Sequence, residues 1–174
     1  MTNTGLWNRE KLHYRVADHN RHFPTEYVLR SILSPRYFNS TKPIEEGQKI
    51  LDIGCLYANN LLPFADRGCA LFGAEVTEDS VEIARESAVQ QGVDLCVEQG
   101  TNRSLPFADE MFDFVLSINT IHYENFRDNV ILGLQEMRRV LKSDGCLLIA
   151  TAGRRHDFVR TALKTGPNSY TVQM

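Results

Sequence analysis

Short apolar runs alternate with helical patterns through most of this chain, and no other feature constrains the fold as strongly. The runs predict five strands, over residues 49–53, 70–76, 95–98, 112–118 and 146–150. Strands separated by helices are typical of repeated β-α-β units, in which helices cover both faces of a parallel sheet. The predicted fold class is therefore α/β, with a doubly wound, mostly parallel sheet.

The segments between the strands carry helix signals, which predict helices over residues 25–33, 59–67, 78–91 and 128–141. Gly68 and Gly92 follow two of these helices at the position where a left-handed residue ends a helix. Thr77 and Ser80, with two acidic residues between them, predict a cap at the start of helix 78–91. Residues 143–145, Ser-Asp-Gly, predict a turn before the last strand.

Size and charge limit the possible functions. The 174 residues, 43% of them apolar, are enough for one domain with a single buried core. A net charge of -3 supplies no electrostatic footprint for nucleic acid or an anionic membrane. No apolar run approaches the roughly 20 residues of a membrane span, and the first residues lack the apolar core of a signal peptide, so we expect a cytoplasmic protein.

Four cysteines are scattered along the chain without a CxxC pair: Cys55, Cys69, Cys96 and Cys146. Three of them fall in or beside predicted strands. We expect them to be reduced and packed as small apolar groups, and the spacing predicts no metal site.

Four segments, in order, carry a resemblance to a known family. They are LDIGCLYANNLLPFADRG, GAEVTEDSVEIARE, LPFADEMFDFVLS and EMRRVLKSDGCLLI. They resemble the successive motifs of the class I S-adenosylmethionine-dependent methyltransferases, and the resemblance covers about residues 49–151. It implies a Rossmann-like fold, S-adenosyl-L-methionine as cofactor and S-adenosyl-L-homocysteine as product. It also implies methyl transfer to the oxygen or nitrogen of a small-molecule acceptor.

The first motif departs from the family pattern. Members have the form acidic-x-Gly-x-Gly-x-Gly, whereas this chain has Asp52, Gly54, Leu56 and Ala58. Holding Leu56 at positive φ would cost about 1 to 3 kcal/mol. Its side chain would point either into the cofactor cleft or toward the core, and the sequence leaves both possibilities open.

The resemblance implies that the cofactor contacts the carboxyl ends of the strands, where ligands lie in open parallel sheets. Glu75 would accept hydrogen bonds from both ribose hydroxyls, although it also has the position of an ordinary solvated charge. Asn102 would accept the adenine amino group in place of the family's aspartate. The predicted cofactor-binding residues are Asp52, Gly54, Cys55, Leu56, Asn59, Asn60, Glu75, Val76, Thr101, Asn102 and Asn119.

The candidates for catalysis are His122 and Tyr123, which lie in the segment that follows the fourth strand. A histidine that titrates near pH 7 can take a proton from a hydroxyl or carboxylic acid acceptor. The alternative is that His122 packs under the following loop. A dedicated base is not essential, because methyl transfer is an in-line displacement in which placement of the acceptor does much of the work.

The two ends of the chain hold the candidate acceptor-binding residues. We expect a helical cap over residues 1–40 and a cofactor-binding core over residues 41–174. Aromatic and basic residues of the cap would help choose the acceptor: Trp7, His13, Tyr14, Arg15, His19 and Phe23. A basic cluster would bind a carboxylate or phosphate on an anionic acceptor, or else is a solvated helix face: Arg154, Arg155, His156, Arg160 and Lys164.

A complete family member continues past the fifth strand through a further helix and an antiparallel pair of strands. The sequence stops at residues 166–174, in the middle of such a domain, so we expect the sheet to lack its last strands, either because the chain is a fragment or because they are absent. In the second case the exposed sheet edge would need a cover, such as a second copy of the chain.

Two other functions compete with methyl transfer. A degenerate methyltransferase fold, with weak or lost cofactor binding, would act as a binding or regulatory partner, and the changes at Leu56, Ala58 and Thr101 favour it. A nicotinamide dinucleotide enzyme would need the GxGxxG turn for its pyrophosphate, and Gly54 alone of those glycines is present.

Overall fold

A parallel five-stranded sheet forms the centre of the molecule. The computed structural model describes residues 23–34, 43–151, 153, 163–166 and 169–171. Neighbouring strands pair in parallel in the order β3-β2-β1-β4-β5, so the order reverses between β1 and β4. The predicted α/β class is confirmed. The strands are β1 (Lys49–Ile53), β2 (Ala70–Glu75), β3 (Leu95–Gln99), β4 (Phe112–Ile118) and β5 (Leu141–Ala150).

Helices lie between the strands, and one of the two longest in the described residues begins and ends as predicted. Helix α3 is capped by reciprocal hydrogen bonds between Thr77 and Ser80 and ends at Gly92, which has a φ of 68°. The helices are α1 (Glu26–Val28), which continues as a π-helical turn (Leu29–Leu33), then α2 (Leu62–Ala65), α3 (Glu78–Gln91) and α4 (Arg127–Val140). A 3₁₀ turn (Ile121–Tyr123) follows β4.

Helix α2 is shorter than the predicted helix over residues 59–67. Two tight turns precede it, in which Ala58 N–H donates to the Cys55 carbonyl and Leu61 N–H donates to the Ala58 carbonyl. Leu61 stands at the N-cap and supplies no side-chain cap. Asn60 does not cap the helix because its amide binds groups elsewhere in the fold.

The turn predicted at residues 143–145 is wrong, since these residues belong to β5. The register with β4 passes from Phe112–Leu141 directly to Phe114–Cys146, so β5 carries extra residues there as a bulge. Gly145 fits this bulge because a Cβ on it would lie 2.6 Å from a methyl carbon of Leu141. The polar and glycine residues therefore accommodate an irregular strand instead of a loop.

Apolar clusters cover both faces of the sheet, which is the doubly wound arrangement. One cluster includes Phe64 of α2 and Phe114 of β4, and the other includes Val115 of β4 and Met137 of α4. All seven residues of β4 are buried, as expected for an interior strand of a parallel sheet. Residues of the segment 23–34 join the first cluster, and the division into a cap over 1–40 and a core over 41–174 stays a prediction.

A separate antiparallel ribbon is formed by β6 (Leu163–Gly166) and β7 (Ser169–Thr171). In the described residues it shares no ladder with the five-stranded sheet. No helix in the described ranges has the length and apolar character needed to cross a membrane.

The four cysteines are free thiols, but they do not share one environment. Cys55 is buried, Cys69 and Cys146 are half-buried, and Cys96 is exposed. The expectation of packed cysteines is therefore wrong for Cys96. Its strand, β3, is an edge strand with one buried residue, so most of its side chains face solvent.

Candidate functional site

The turn after β1 has the backbone of a glycine-rich turn although two of its glycines are replaced. Gly54, Leu56 and Ala58 have φ values of 75°, 40° and 57°. These values lie in the left-handed region, which glycine adopts freely and which costs other residues about 1 to 3 kcal/mol each. Ala58 is fully buried and Leu56 is half-buried. The fold therefore holds Leu56 and Ala58 in a left-handed conformation that glycine would adopt without strain.

Gly54 is the position in this turn where only glycine fits. A Cβ on Gly54 would overlap the side chain of Thr120 in the loop after β4. The hydroxyl of Thr120 lies 2.7 Å from that of Ser117, so its side chain is anchored to β4. The loops after β1 and β4 consequently meet closely at the point where strand order reverses, which is where open α/β sheets bind ligands.

Glu75, at the end of β2, is bound to this turn. Its side-chain Oε1 accepts a hydrogen bond of 2.6 Å from Leu56 N–H, and the residue is 5% exposed. Glu75 is therefore not the solvated charge that the sequence also allowed. Burial raises its pKa, while hydrogen bonds, chiefly from Leu56 N–H, oppose the rise.

Asp52 and Asn60 connect the turn to the segment before the sheet. Asn60 Nδ2 donates to Asp52 Oδ2 at 3.3 Å, and Asn60 Oδ1 accepts from Thr25 N–H at 3.0 Å. Burial raises the pKa of Asp52 to about 7, the hydrogen bond from Asn60 lowers it, and the charge of Glu75 raises it further. Asp52 Oδ1 is buried and has no hydrogen-bond partner among the described atoms.

The loop after β3 is tied to the loop after β4. Thr101 and Ser104 exchange two backbone hydrogen bonds of 2.9 and 3.0 Å, which close the loop. Asn102 Nδ2 donates to Glu124 Oε1 at 3.3 Å, and Arg103 Nε lies 3.3 Å from the other oxygen of that carboxylate. Asn102 Oδ1 is a buried acceptor without a partner in the described part of the chain.

The two candidate catalytic residues lie on the 3₁₀ turn after β4, and both are exposed. The ring centroids of His122 and Tyr123 are 4.4 Å apart. His122 Nδ1 lies 3.1 Å from the hydroxyl of Thr151, which follows β5. The alternative reading, that His122 packs beneath a loop, is wrong because its side chain is exposed and faces Thr151.

The predicted cofactor residues come together along one edge of the sheet. Asp52 lies inside β1, and each of the others ends or follows one of the strands β1 to β4. Asn119, directly after β4, is exposed, has a φ of 57° and donates its N–H to the carbonyl of Ala150. Phe23 is exposed, while the side chain of Lys164 and the following predicted residues lie outside the described residues: Trp7, His13, Tyr14, Arg15, His19, Arg154, Arg155, His156 and Arg160.

Sequence reasoning missed two residues that contact the turn. Ser87 Oγ and Gln91 Nε2, both in α3, donate to the carbonyl of Tyr57. They lie at the far end of a helix, where no strand-end rule points to them. Thr120, which restricts Gly54, lies in a strand-end segment that the sequence did indicate as a whole.

These features define a Rossmann-like, nucleotide-binding class of protein. They are an open parallel sheet whose strand order reverses between β1 and β4, a turn of glycine type after β1, and an acidic residue at the end of β2. A family model described as "Methyltransferase domain" matches residues 51–149. The chain thus belongs to the class I S-adenosylmethionine-dependent methyltransferases, as its sequence motifs predicted. The cofactor of this family is S-adenosylmethionine.

Relatives with known sequences and structures agree with this assignment. The uncharacterized methyltransferase YcgJ of Bacillus subtilis (strain 168) is 35% identical over 102 residues, which is 58% of this chain and 39% of that protein. The YcgJ crystal structure gives a TM-score of 0.55 at 32% identity, covering 60% of this chain and 44% of that one.

Two further relatives carry more specific names. A ubiquinone biosynthesis O-methyltransferase of Chelativorans sp. (strain BNC1) is 31% identical over 115 residues, covering 66% of this chain and 44% of that protein. A Haloferax volcanii putative methyltransferase, solved in complex with the Trm112 methyltransferase activator, gives a TM-score of 0.53 at 28% identity, covering 63% of this chain and 47% of the other. The chain spans less than half the length of these curated relatives.

Proposed function

We propose that this chain binds S-adenosylmethionine at the switch point between β1 and β4 and transfers its methyl group to a small acceptor. The observation that carries the proposal is the positive φ retained at Gly54, Leu56 and Ala58. Strained backbone persists only where its surroundings over-determine it, and it is concentrated at ligand sites. The retained strain therefore favours a ligand-binding turn over the degenerate-fold alternative.

The groups along the strand ends suit an adenosine-containing cofactor. Asp52 Oδ1 and Asn102 Oδ1 are buried oxygens without partners among the described atoms. Buried polar atoms are nearly always hydrogen-bonded, so each offers a place for a polar group of the cofactor. Glu75 would hold the ribose, Asn102 the adenine amino group, and the turn after β1 the methionine end.

The bound cofactor supplies a methyl group activated by its attachment to a sulfonium. His122 would take the proton of an acceptor hydroxyl or carboxylic acid, and its hydrogen-bonding contact with Thr151 at Nδ1 fixes the orientation of its ring. The ring of Tyr123 lies beside the ring of His122. The name of the Chelativorans relative supports an oxygen acceptor. We also propose that the acceptor is anionic, because the sequence between residues 154 and 164 contains a cluster of basic residues.

A calorimetric titration with S-adenosylmethionine and S-adenosylhomocysteine, on protein freed of co-purified ligand, tests cofactor binding. We expect micromolar affinity that is lost in Glu75→Ala and kept in Glu98→Ala. Glu98 is the matched control because it is a glutamate near the end of the neighbouring strand, β3, and is exposed. Circular dichroism must show that each variant is folded. Absence of binding by the folded wild-type protein would refute the proposal and favour the degenerate fold.

A further inference from the structure

The carbonyl of Tyr57 lies between the two strained residues of the turn and accepts hydrogen bonds from helix α3. Ser87 Oγ donates to it at 3.1 Å and Gln91 Nε2 at 2.8 Å. Gln91 Nε2 also lies 2.9 Å from Ser87 Oγ, so the three groups form one small network. Ser87 is buried and Gln91 is half-buried, which protects these bonds from competition by water.

The peptide on the other side of the strained segment is also fixed. Leu56 N–H donates to Glu75 Oε1 at 2.6 Å. The peptide groups before Leu56 and after Tyr57 are therefore both held from outside the turn. Moving Ala58 from positive to negative φ would rotate the peptide that carries the Tyr57 carbonyl away from α3. Relaxation of the backbone thus requires loss of the bonds to Ser87 and Gln91.

We propose that Ser87 and Gln91 are positioning residues that keep the turn in its cofactor-binding conformation in place of two glycines. The inference rests on the proposed function, since it assigns these residues to the same site. Glycine at positions 56 and 58 would adopt positive φ without strain and would need no external support. With Leu56 and Ala58 there, the support comes from α3. Neither residue touches the cofactor in this proposal, because both act through the Tyr57 carbonyl.

The test is a double-mutant cycle on the affinity for S-adenosylmethionine, measured by calorimetry. In the wild-type background, Ser87→Ala/Gln91→Ala should weaken binding by roughly 5- to 30-fold, the effect of losing one or two net hydrogen bonds. In a Leu56→Gly/Ala58→Gly background, the same pair should change affinity by no more than about twofold, the usual limit of additivity. Gln90→Ala is the matched control, because Gln90 is the same residue type one position earlier and is exposed.

A second measurement needs no cofactor. Hydrogen exchange at the amide of residue 58, which bonds to the Cys55 carbonyl, reports opening of the turn directly. The Ser87→Ala/Gln91→Ala pair should speed this exchange in the wild-type background but not in the glycine background. If wild-type protein binds no cofactor, the proposed function fails while exchange still decides this inference. Equal effects in both backgrounds, or no effect in the wild-type background, would overturn it.

Discussion

Replacement of the buried Asp52 by asparagine should change how stability depends on pH. Asp52 is 1% exposed, and its carboxylate has one hydrogen bond from Asn60 and one oxygen without a partner among the described atoms. Burial raises its pKa from 3.8 to about 7. Asp52→Asn keeps the size of the side chain and removes the titration, so it isolates this one group.

The sign follows from proton binding. Between pH 4 and 7 folded Asp52 holds a proton that the unfolded chain has released, so the free energy of unfolding falls as pH rises. The contribution is fully present below about pH 3.8 and is lost as pH rises through about 7. At about 1.4 kcal/mol per pKa unit the total is roughly 4 kcal/mol. The stability of Asp52→Asn relative to wild type should therefore rise by up to that amount between pH 4 and 8.

Urea denaturation of both proteins at each pH from 4 to 8, without cofactor, measures this difference. Other titrating groups largely cancel, because they are common to the two proteins. A difference that is constant over this range, or that falls as pH rises, would refute the reasoning. Glu136→Gln is a control of opposite sign: a hydrogen bond from Arg139 lowers the pKa of Glu136 below 4.5, so its stabilising contribution is lost only in more acidic solution.

Two further substitutions test the contacts around the sheet. Arg139→Met removes ion pairs to Glu136 and Asp109 and bonds to two loop carbonyls, and should lower the free energy of urea unfolding by about 2 to 4 kcal/mol. A loss under about 0.5 kcal/mol, the range of ordinary surface changes, would contradict that account. Gly54→Ala should lower the melting temperature more than Gly92→Ala and should abolish cofactor binding, because both glycines have positive φ but only Gly54 lacks room for a Cβ. Equal melting temperatures of Gly54→Ala and Gly92→Ala would show that the close approach of the loop after β4 does not affect stability.

Elements encoded by local patterns were predictable from the sequence. Strands β1 and β4 and helix α3 begin and end at the predicted residues. A buried parallel strand is a continuous apolar run, and α3 has a Thr77 cap and a terminal Gly92 within its own sequence. The family motifs then predicted a candidate site at the carboxyl ends of the strands. In the structure the predicted site residues lie at or near those ends.

Predictions that depended on neighbouring segments were less successful. Residues 143–145 look like a turn, yet β4 offers a partner strand on which they form a bulge. Residues 59–61 look like the start of a helix, yet Asp52 and the N–H of Thr25 bind the side-chain amide of Asn60. Cys96 looks packed, yet β3 is at the edge of the sheet. In each case the outcome depended on where the rest of the fold placed the residue, which its local sequence does not reveal.

The sequence by itself determined the class of fold, the order of its elements and the strand ends at which the candidate site lies. The tertiary structure alone decided the conformation of Leu56 and Ala58 and identified the groups that hold it. Ser87 and Gln91 lie 30 and 34 residues beyond the carbonyl they bind. They reach it because α3 packs beside the turn after β1. Hydrophobic periodicity determines which face of a helix is buried, but not which backbone group its polar side chains will meet there.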